Sequence, residues 1–296
     1  MTVVQDPTAP ISVPTQPDQA RVARGERLRL LVRSPTFIIG CILAGMWVLC
    51  ALLGPLLAPK NPQAADVLNK LVAPESGHLF GTDRLGRDEL SRVIVGARSI
   101  LIVAPLATLL GTILGTAIGL ITGYYRGFVD EVIMRFVDSI LAIPLIITAL
   151  LAIVAIGPSR LTLILVIGFV FAPIIAKTVR AAVLSEAQLD YVQAARLRNE
   201  RGPYVMFAEI LPNVMGPIIV EFTVRLGYAI FAVATLSFLG FGADPSIPDW
   251  GQDISQHYQF INGGVWWAVL FPSLAIATLV IGINLIADAI AQTFER

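Results

Sequence analysis

The chain alternates between long apolar stretches and shorter polar segments. Six stretches contain no Asp, Glu, Lys or Arg, and most approach or exceed the ~20 residues that an apolar helix needs to cross a bilayer. They predict six transmembrane helices, at 34–59, 99–125, 139–159, 161–176, 226–243 and 254–287. We expect the fourth to extend to Leu184, because Lys177 and Arg180 reach the interface with long side chains, and the fifth to begin near Met215. The predicted fold class is all-α, a polytopic membrane protein with six transmembrane helices.

Between the fourth and fifth predicted spans lies a polar segment, residues 185–213, that does not fit in a membrane. Ser185, followed three residues later by a glutamine, forms a capping-box pattern that predicts the start of a short helix. Asn199 predicts its end, because Asn tolerates the left-handed conformation that closes helices. Pro203 predicts the start of a second short helix, which runs to Pro212. This arginine-bearing helix-turn-helix is expected to be a surface that a partner protein holds.

The polar segments also predict how the chain is organised. Residues 1–34 carry four prolines among polar residues and then five arginines, which predicts a disordered, basic tail. Positive charge beside the first span places that end in the cytoplasm, and six spans return the other terminus to the same side. We expect residues 35–98 to form the first span and a long extracytoplasmic loop, and residues 99–296 to form the transmembrane core with loop 185–213. One loop opposes the charge rule, because 60–98 is expected outside yet holds six Lys and Arg residues.

The composition supports a membrane protein and limits the chemistry. Hydrophobic residues make up 56% of the chain and charged residues 14%, against roughly 25% charged residues in soluble proteins. The formal net charge is zero, which indicates no nucleic-acid partner. The sequence has no GxxxxGKS/T, HExxH or CxxC motif, and its two histidines, His78 and His257, have no clustered ligands. We therefore expect no enzyme active site, bound cofactor or metal site in this chain.

The polar segment resembles the coupling loop of the membrane subunits of ABC importers. The family pattern is Glu-Ala-Ala, three residues, Gly, nine residues, Ile, one residue and Leu-Pro. The match, at the correct separation, consists of Ala194, Ala195, Leu211 and Pro212, and the differences are Gln193 for Glu, Asn199 for Gly and Glu209 for Ile. The residues that this resemblance implies for ATPase coupling are Tyr191, Gln193, Ala194, Ala195, Arg196, Asn199, Gly202, Leu211, Pro212 and Asn213.

Two further segments resemble the C-type permease subunits of dipeptide, oligopeptide and nickel importers. Residues 78–100 contain Gly-Thr-Asp, Leu-Gly-Arg-Asp and Ser-Arg elements, as a turn followed by an amphipathic helix. Residues 238–272 contain Phe-Leu-Gly-Phe-Gly and a pair of tryptophans. In these segments the resemblance implies extracytoplasmic contacts with a binding protein at Asp83, Arg87, Asp88, Asp249 and Trp250.

The resemblance covers the chain from about residue 35 to its end and implies a type I ABC importer permease fold. It implies a second, similar permease subunit, two ATPase domains, separate or fused, and an extracytoplasmic substrate-binding protein. ATP and Mg are then expected on the ATPase and not on this chain. A multi-pass position in the inner membrane of a prokaryote, with both termini in the cytoplasm, is also implied. Peptides are the first expectation for the cargo, nickel or another small solute is the alternative, and an ion-driven secondary transporter is the alternative class.

The predicted fifth span carries two charged residues, Glu221 and Arg225. Charges inside a membrane are costly and mark functional sites by default. Their spacing of four favours an ion pair with each other; the alternative is that Arg225 faces the translocation path and meets peptide carboxylates. In the second span a stripe of small residues, at Gly111, Gly115 and Gly119, predicts close packing against another helix, within this chain or across to a partner subunit.

Overall fold

The computed structural model describes residues 31–242 and 246–295, and most of them are helical. Within those residues no β-strand forms, and extended chain pairs at two isolated bridges. The predicted disorder and basic cluster of residues 1–30 lie outside the described residues. The helices are α1 Pro35–Leu57, α2 Glu89–Tyr125, α3 Gly127–Leu141, α4 Leu145–Ile156, α5 Arg160–Glu186, α6 Asp190–Leu197, α7 202–213 with a π-helical centre at Val205–Ile210, α8 Met215–Leu236 with a π-helical continuation at Ser237–Phe241, α9 Trp250–His257 and α10 Trp267–Glu295.

The third predicted span, 139–159, is not one straight helix. α3 and α4 meet at a bend of 87°, beside Pro144, which has no N–H to continue a helix and restricts the residue before it. α4 has 12 residues and rises about 18 Å, less than the ~30 Å hydrocarbon core of a bilayer. Among the described residues five single helices are long and apolar enough to cross, or up to six spans if the bent pair counts as one. The all-α polytopic fold is confirmed, and the third span differs in form.

The second predicted span begins earlier than expected. α2 begins at Glu89, ten residues before the uncharged stretch, because Asp88 caps it. The Asp88 carboxylate accepts a hydrogen bond from the Ser91 N–H at 3.0 Å, which satisfies a backbone donor that the first helical turn leaves unpaired. The amphipathic helix predicted just before this span is therefore its first turns. α5 extends to Glu186 and α8 begins at Met215, and both confirm the predicted extensions.

The last uncharged stretch, 254–287, contains the end of α9 and most of α10 instead of one long span. α9 occupies residues 250–257, and a 3₁₀ turn follows it. Gly264 then takes a φ of +89°, a conformation that an L side chain rarely adopts, and the chain turns into α10. The final span therefore begins at Trp267, the second residue of the tryptophan pair.

α2 and α5 form the central seam of the bundle and run in the same direction. A Cβ added at Gly111 would lie 2.9 Å from the carbonyl oxygen of Gly168 in α5, and one at Gly115 would lie 2.7 Å from that of Ala172. Gly119 approaches α5 as closely. The stripe of small residues packs within the chain, which was the first of the two possibilities that its spacing left open.

Different elements form the two ends of the bundle. α6 and α7 lie at the end reached by the last turns of α2 and α5, which we call the coupling end. The loop 58–88 and α9 lie at the opposite end. α1 and α10 are antiparallel and flank the seam: a Cβ at Gly40 would lie 2.8 Å from the Gly282 carbonyl oxygen, and the Trp47 indole N–H donates to Thr278 Oγ1 at 3.0 Å.

Candidate functional site

α6 and α7 form the helix-turn-helix that the polar segment predicted. The chain turns after α6 at Asn199, whose φ of +56° is the left-handed value expected for a helix stop. Pro203 lies in the first turn of α7, where its missing N–H leaves no hydrogen bond unmade. Both features confirm the predicted outline of the segment.

The predicted start of the first short helix at Ser185 is wrong. Ser185 lies in the last turn of α5, and α6 begins only at Asp190. Val183 and Ala187, on either side of Ser185, are buried in the core. Burial of these apolar neighbours keeps the turn in α5, and tertiary packing outweighs the local capping pattern.

The helix-turn-helix has a buried face and an exposed apolar face. The buried face consists of Val192, Ala195, Val205 and Ile210, each with no exposed surface. The exposed face, called the docking face below, consists of Leu197, Tyr204 and Phe207, which are 85%, 55% and 60% exposed. Large apolar side chains exposed on a polar segment are candidates for a protein-binding surface when they form one patch. None of these three was predicted as a site residue, although an apolar residue in an arginine-rich segment was a visible signal.

Two predicted coupling residues hold this segment against the end of α2. The Arg196 guanidinium lies 4.7 Å from the centroid of the Tyr124 ring, a cation–π contact. A Cβ added at Gly202 would lie 2.8 Å from the Tyr125 hydroxyl oxygen, so glycine permits this close approach. Arg196 and Gly202 therefore position the helix-turn-helix on the bundle. The remaining matched residues of the coupling pattern are half-buried or exposed: Ala194, Leu211 and Pro212.

The three differences from the family coupling pattern all fit the local structure. Gln193 Nε2 donates to the Ala187 carbonyl oxygen at 3.0 Å, which the carboxylate of a glutamate could not do. Asn199 adopts the left-handed conformation that glycine adopts most readily. Glu209 is half-buried beside the completely buried Ile210, so an apolar residue occupies the core one position later than the pattern expects. A π-helical turn contains both residues.

The Tyr191 hydroxyl connects three parts of this segment. It donates to Glu186 Oε1 at 2.7 Å and accepts from Asn213 Nδ2 at 3.1 Å. Asn213 Nδ2 also donates to the Glu209 carbonyl oxygen at 2.8 Å. Burial and the hydrogen bond to the Glu186 carboxylate raise the pKa of Tyr191 to about 12. The hydroxyl therefore keeps its proton at neutral pH.

The two charged residues in α8 pair with each other. Arg225 Nε lies 2.6 Å from Glu221 Oε1, which confirms the pairing that their spacing favours. Glu221 is buried, whereas Arg225 is half-buried, with its guanidinium 5.3 Å from the centroid of the Tyr228 ring. The contact of Arg225 with a translocating peptide stays a prediction.

The residues predicted to contact a binding protein are all buried at the opposite end; they are Asp83, Arg87, Asp88, Asp249 and Trp250. Asp83 accepts from the backbone N–H groups of Leu85 and Arg87 at 2.8 Å, and it also pairs with the Arg87 guanidinium. Arg92 in α2 pairs with Asp253 in α9. These buried ion pairs and hydrogen bonds connect the loop before α2, α2 itself and α9, and so stabilise the opposite end. Direct contact with a binding protein stays a prediction.

Asp249 and Trp250 fix the start of α9. Asp249 Oδ2 accepts from the hydroxyls of Ser99 and Ser237 at 3.1 and 3.3 Å. Burial nevertheless raises the pKa of Asp249, because desolvation opposes its charged form more than these donors favour it. The Trp250 indole N–H donates to the Val93 carbonyl oxygen at 2.8 Å, across to α2.

Both histidines have hydrogen-bond partners at the opposite end. His78 Nδ1 lies 2.9 Å from Asp88 Oδ1. His257 Nδ1 donates to the Asp253 carbonyl oxygen at 2.6 Å, and its Nε2 accepts from the Arg84 N–H at 3.3 Å. Burial lowers the pKa of His257, so it is neutral at pH 7. In the part of the chain that the structure describes, no group of three or more His, Cys, Asp and Glu side chains could hold a metal ion.

More than half of the bundle matches a known family of membrane proteins. The model of the family described as binding-protein-dependent transport system inner membrane component matches residues 115–296. The chain belongs to this family. The permease is thus an integral membrane subunit of a transport system, and the matched part extends from the middle of α2 to the end of the chain, so it contains both the coupling end and the charged pair of α8.

Several relatives resemble the permease over most of its length. The dipeptide transport system permease protein DppC of Escherichia coli is 41% identical over 270 residues, which cover 89% of each chain. The protein of the same name in Alkalihalophilus pseudofirmus is 36% identical over 91% of this chain and 88% of its own. The di/tripeptide transport system permease protein DppC of Pseudomonas aeruginosa is 35% identical over 84% of each.

A solved structure supports the fold independently of close sequence similarity. A chain of the inward-facing MetNI methionine ABC transporter superposes with a TM-score of 0.56, at 19% identity, over 69% of this permease and 97% of that chain. The likeness confirms an ABC importer permease fold for the bundle.

Proposed function

We propose that this permease forms half of the membrane channel of an ATP-driven ABC importer for di- or oligopeptides. One observation carries the proposal: a helix-turn-helix with a fully buried inner face holds the docking face, Leu197, Tyr204 and Phe207, out into water. A second, similar permease subunit supplies the other half of the channel. Two ATPase domains, separate or fused, bind ATP and Mg, and an extracytoplasmic binding protein delivers the cargo.

Coupling in this proposal is mechanical. The docking face enters a groove on an ATPase domain, and closure of the ATPases around ATP moves α6 and α7 as a unit. The buried face transmits that movement, because close-packed side chains shift together and are not compressed. Contacts such as Arg196 on Tyr124 pass it to the end of α2. Loop 191–213 is then the coupling element, and catalysis takes place on the ATPase.

The peptide cargo rests on the relatives. Proteins that are 35–41% identical over at least 84% of this chain are named for the transport of dipeptides or of di- and tripeptides in three organisms. Uptake of radiolabelled alanyl-alanine by cells that lack this permease, with and without a plasmid copy, measures this cargo directly.

The docking face is tested by changing one exposed leucine at each end of the bundle. We expect Leu197→Asp to reduce the ATPase recovered with the permease, and the ATP hydrolysis of the purified complex in nanodiscs, about tenfold or more, since a buried interface anchor commonly contributes that much binding energy. Leu79→Asp is the matched control, because Leu79 is 63% exposed at the opposite end. Its complex should keep wild-type hydrolysis. Equal hydrolysis by the two variants would contradict the proposed docking face.

A further inference from the structure

α6 is connected to the two neighbouring spans by side chains as well as by the backbone. On one side, the Tyr191 hydroxyl donates to Glu186 in the last turn of α5 at 2.7 Å. On the other side, it accepts from Asn213, two residues before α8 begins, at 3.1 Å. One hydroxyl group therefore joins the end of α5, the start of α6 and the approach to α8.

The donors in this arrangement have one consistent assignment. A tyrosine hydroxyl has a single hydrogen, and its nearest acceptor is the Glu186 carboxylate, since the Glu209 carbonyl oxygen is 3.4 Å away. The Asn213 amide donates to the Tyr191 oxygen and to the Glu209 carbonyl oxygen at 2.8 Å. The Asn213 side chain thus also connects Tyr191 to the π-helical centre of α7. Phenylalanine at position 191 would lose both bonds of the hydroxyl and keep the ring.

The covalent connections of α6 are two short turns. The three residues 187–189 link it to α5, and the turn 198–201 links it to α7. Gln193 adds one further tether on the α5 side only, through its hydrogen bond to the Ala187 carbonyl oxygen. Within the residues that the structure describes, the Tyr191 side chain of α6 forms hydrogen bonds both to α5 and to the segment leading into α8. It is thus placed to make the two spans follow the same movement.

We propose that Tyr191, with Glu186 and Asn213, is a positioning latch that makes α6 move together with the end of α5 and the start of α8. The latch rests on the proposed coupling function. It adds that a contact within the loop, and not only the contact with the ATPase, is needed to move the spans. Tyr191 does not need to touch the ATPase for this role. It determines how much of the ATPase movement reaches the spans.

The test measures movement of the spans without reference to the cargo. A reporter, Leu239→Cys, is placed near the opposite end of α8, where Leu239 is 45% exposed, in a background with Cys41→Ala and Cys50→Ala. The complex with its ATPase is placed in nanodiscs, and the rate of labelling by a water-soluble maleimide is measured without nucleotide and with MgATP and vanadate. The proposed function predicts that the two rates differ in the reporter background.

The latch predicts that Tyr191→Phe reduces this nucleotide-dependent difference in labelling, measured on equal amounts of the assembled complex. We expect a reduction of roughly three- to tenfold, the factor that one hydrogen bond contributes to an equilibrium. Glu186→Gln, which keeps an acceptor oxygen, should behave like the background, and Glu186→Ala like Tyr191→Phe. Tyr258→Phe removes a hydroxyl at the opposite end, where Tyr258 is 47% exposed, and controls for the loss of a tyrosine oxygen.

The outcomes separate the latch from the proposed function. If the reporter background binds no ATPase, or shows no change with nucleotide, the proposed coupling function fails and the latch fails with it. If the background responds and Tyr191→Phe responds equally, the latch alone is wrong. If Tyr191→Phe reduces assembly itself, the comparison of Glu186→Ala with Glu186→Gln decides, and equal responses from those two variants overturn the latch.

Discussion

Arg225 has two candidate roles, an ion pair with Glu221 and a contact with the peptide cargo. Its charge is compensated by Glu221, one turn earlier in α8, and its guanidinium also lies beside the Tyr228 ring. An ion pair inside a membrane helix does not by itself indicate a function, because charged residues in such helices ordinarily pair with each other. Arg225 is nevertheless half-buried where Glu221 is buried, so its remaining N–H groups are the more accessible part of the pair.

A double substitution separates the two roles of Arg225. Arg225→Ala alone leaves Glu221 as an unpaired buried charge, which is strongly destabilising, so we expect poor assembly. Glu221→Gln with Arg225→Gln removes both charges and should assemble normally. If Arg225 meets peptide carboxylates, the double variant should take up alanyl-alanine about tenfold more slowly, since a charged hydrogen bond contributes roughly 1.5–3 kcal/mol. Wild-type uptake by a well-assembled variant that lacks Arg225 would refute a role in the translocation path.

At the scale of helices, the α2–α5 seam depends on the absence of side chains. The two helices touch through backbone at Gly111 and Gly115, and a methyl group at either position would lie within 3 Å of a carbonyl oxygen. Backbone atoms cannot rotate away as a flexible side chain would, so the helices themselves must separate. The seam is therefore sensitive to the smallest possible increase in size.

The same substitution at two helical glycines tests the seam. Gly115→Ala is expected to destabilise the permease by about 1–3 kcal/mol, the usual cost of overpacking a core. Gly45→Ala in α1 is the matched control, because a Cβ there meets nothing within 4 Å and alanine favours a helix by up to about 1 kcal/mol over glycine. The midpoint temperature of unfolding, measured in nanodiscs, should fall for Gly115→Ala and not for Gly45→Ala. Equal midpoints would show that the seam adapts.

Some helix boundaries differ from those that composition and capping patterns predict, because a proline bend or core packing outweighs the local pattern. The uncharged stretch 139–159 satisfies length and composition for a span, yet the chain bends at Pro144 and leaves a 12-residue α4. The pattern at Ser185 is a valid capping signal, yet the core holds that turn in α5. Asn199 and Pro203 gave correct predictions because the backbone conformation of those residues is restricted locally.

For the whole molecule, burial accounts for two of the six cations that opposed the charge rule. Arg87 and Arg92, two of the six cations between residues 60 and 98, are buried and paired with Asp83 and Asp253. Cations that are buried and paired inside the fold differ from the free surface charges that the rule counts. The charge pattern is therefore consistent with the proposal that the opposite end lies outside an inner membrane and that the coupling end, with both termini, lies in the cytoplasm.

This orientation predicts opposite labelling of the two ends in intact cells. In the background lacking Cys41 and Cys50, Leu68→Cys should react with a membrane-impermeant maleimide, because Leu68 is 94% exposed on the loop before α2. Phe128→Cys should react only after the membrane is made permeable, because Phe128 is 81% exposed just after the last turn of α2, at the coupling end. Reaction of Phe128→Cys in intact cells, with Leu68→Cys protected, would reverse the proposed orientation.

The sequence alone determined the class of this protein, because the free energy of placing apolar and charged residues in a bilayer is set residue by residue. It also predicted the turn at Asn199 and the helix that begins near Pro203, since turn residues act locally. Pairing of Glu221 with Arg225 followed from helical spacing in the same way. Only the tertiary structure decided which faces are covered. It buried Asp83, Arg87, Asp88, Asp249 and Trp250, it exposed Leu197 and Phe207, and it brought Tyr191 between Glu186 and Asn213, because exposure and long-range hydrogen bonds depend on neighbours distant in the chain.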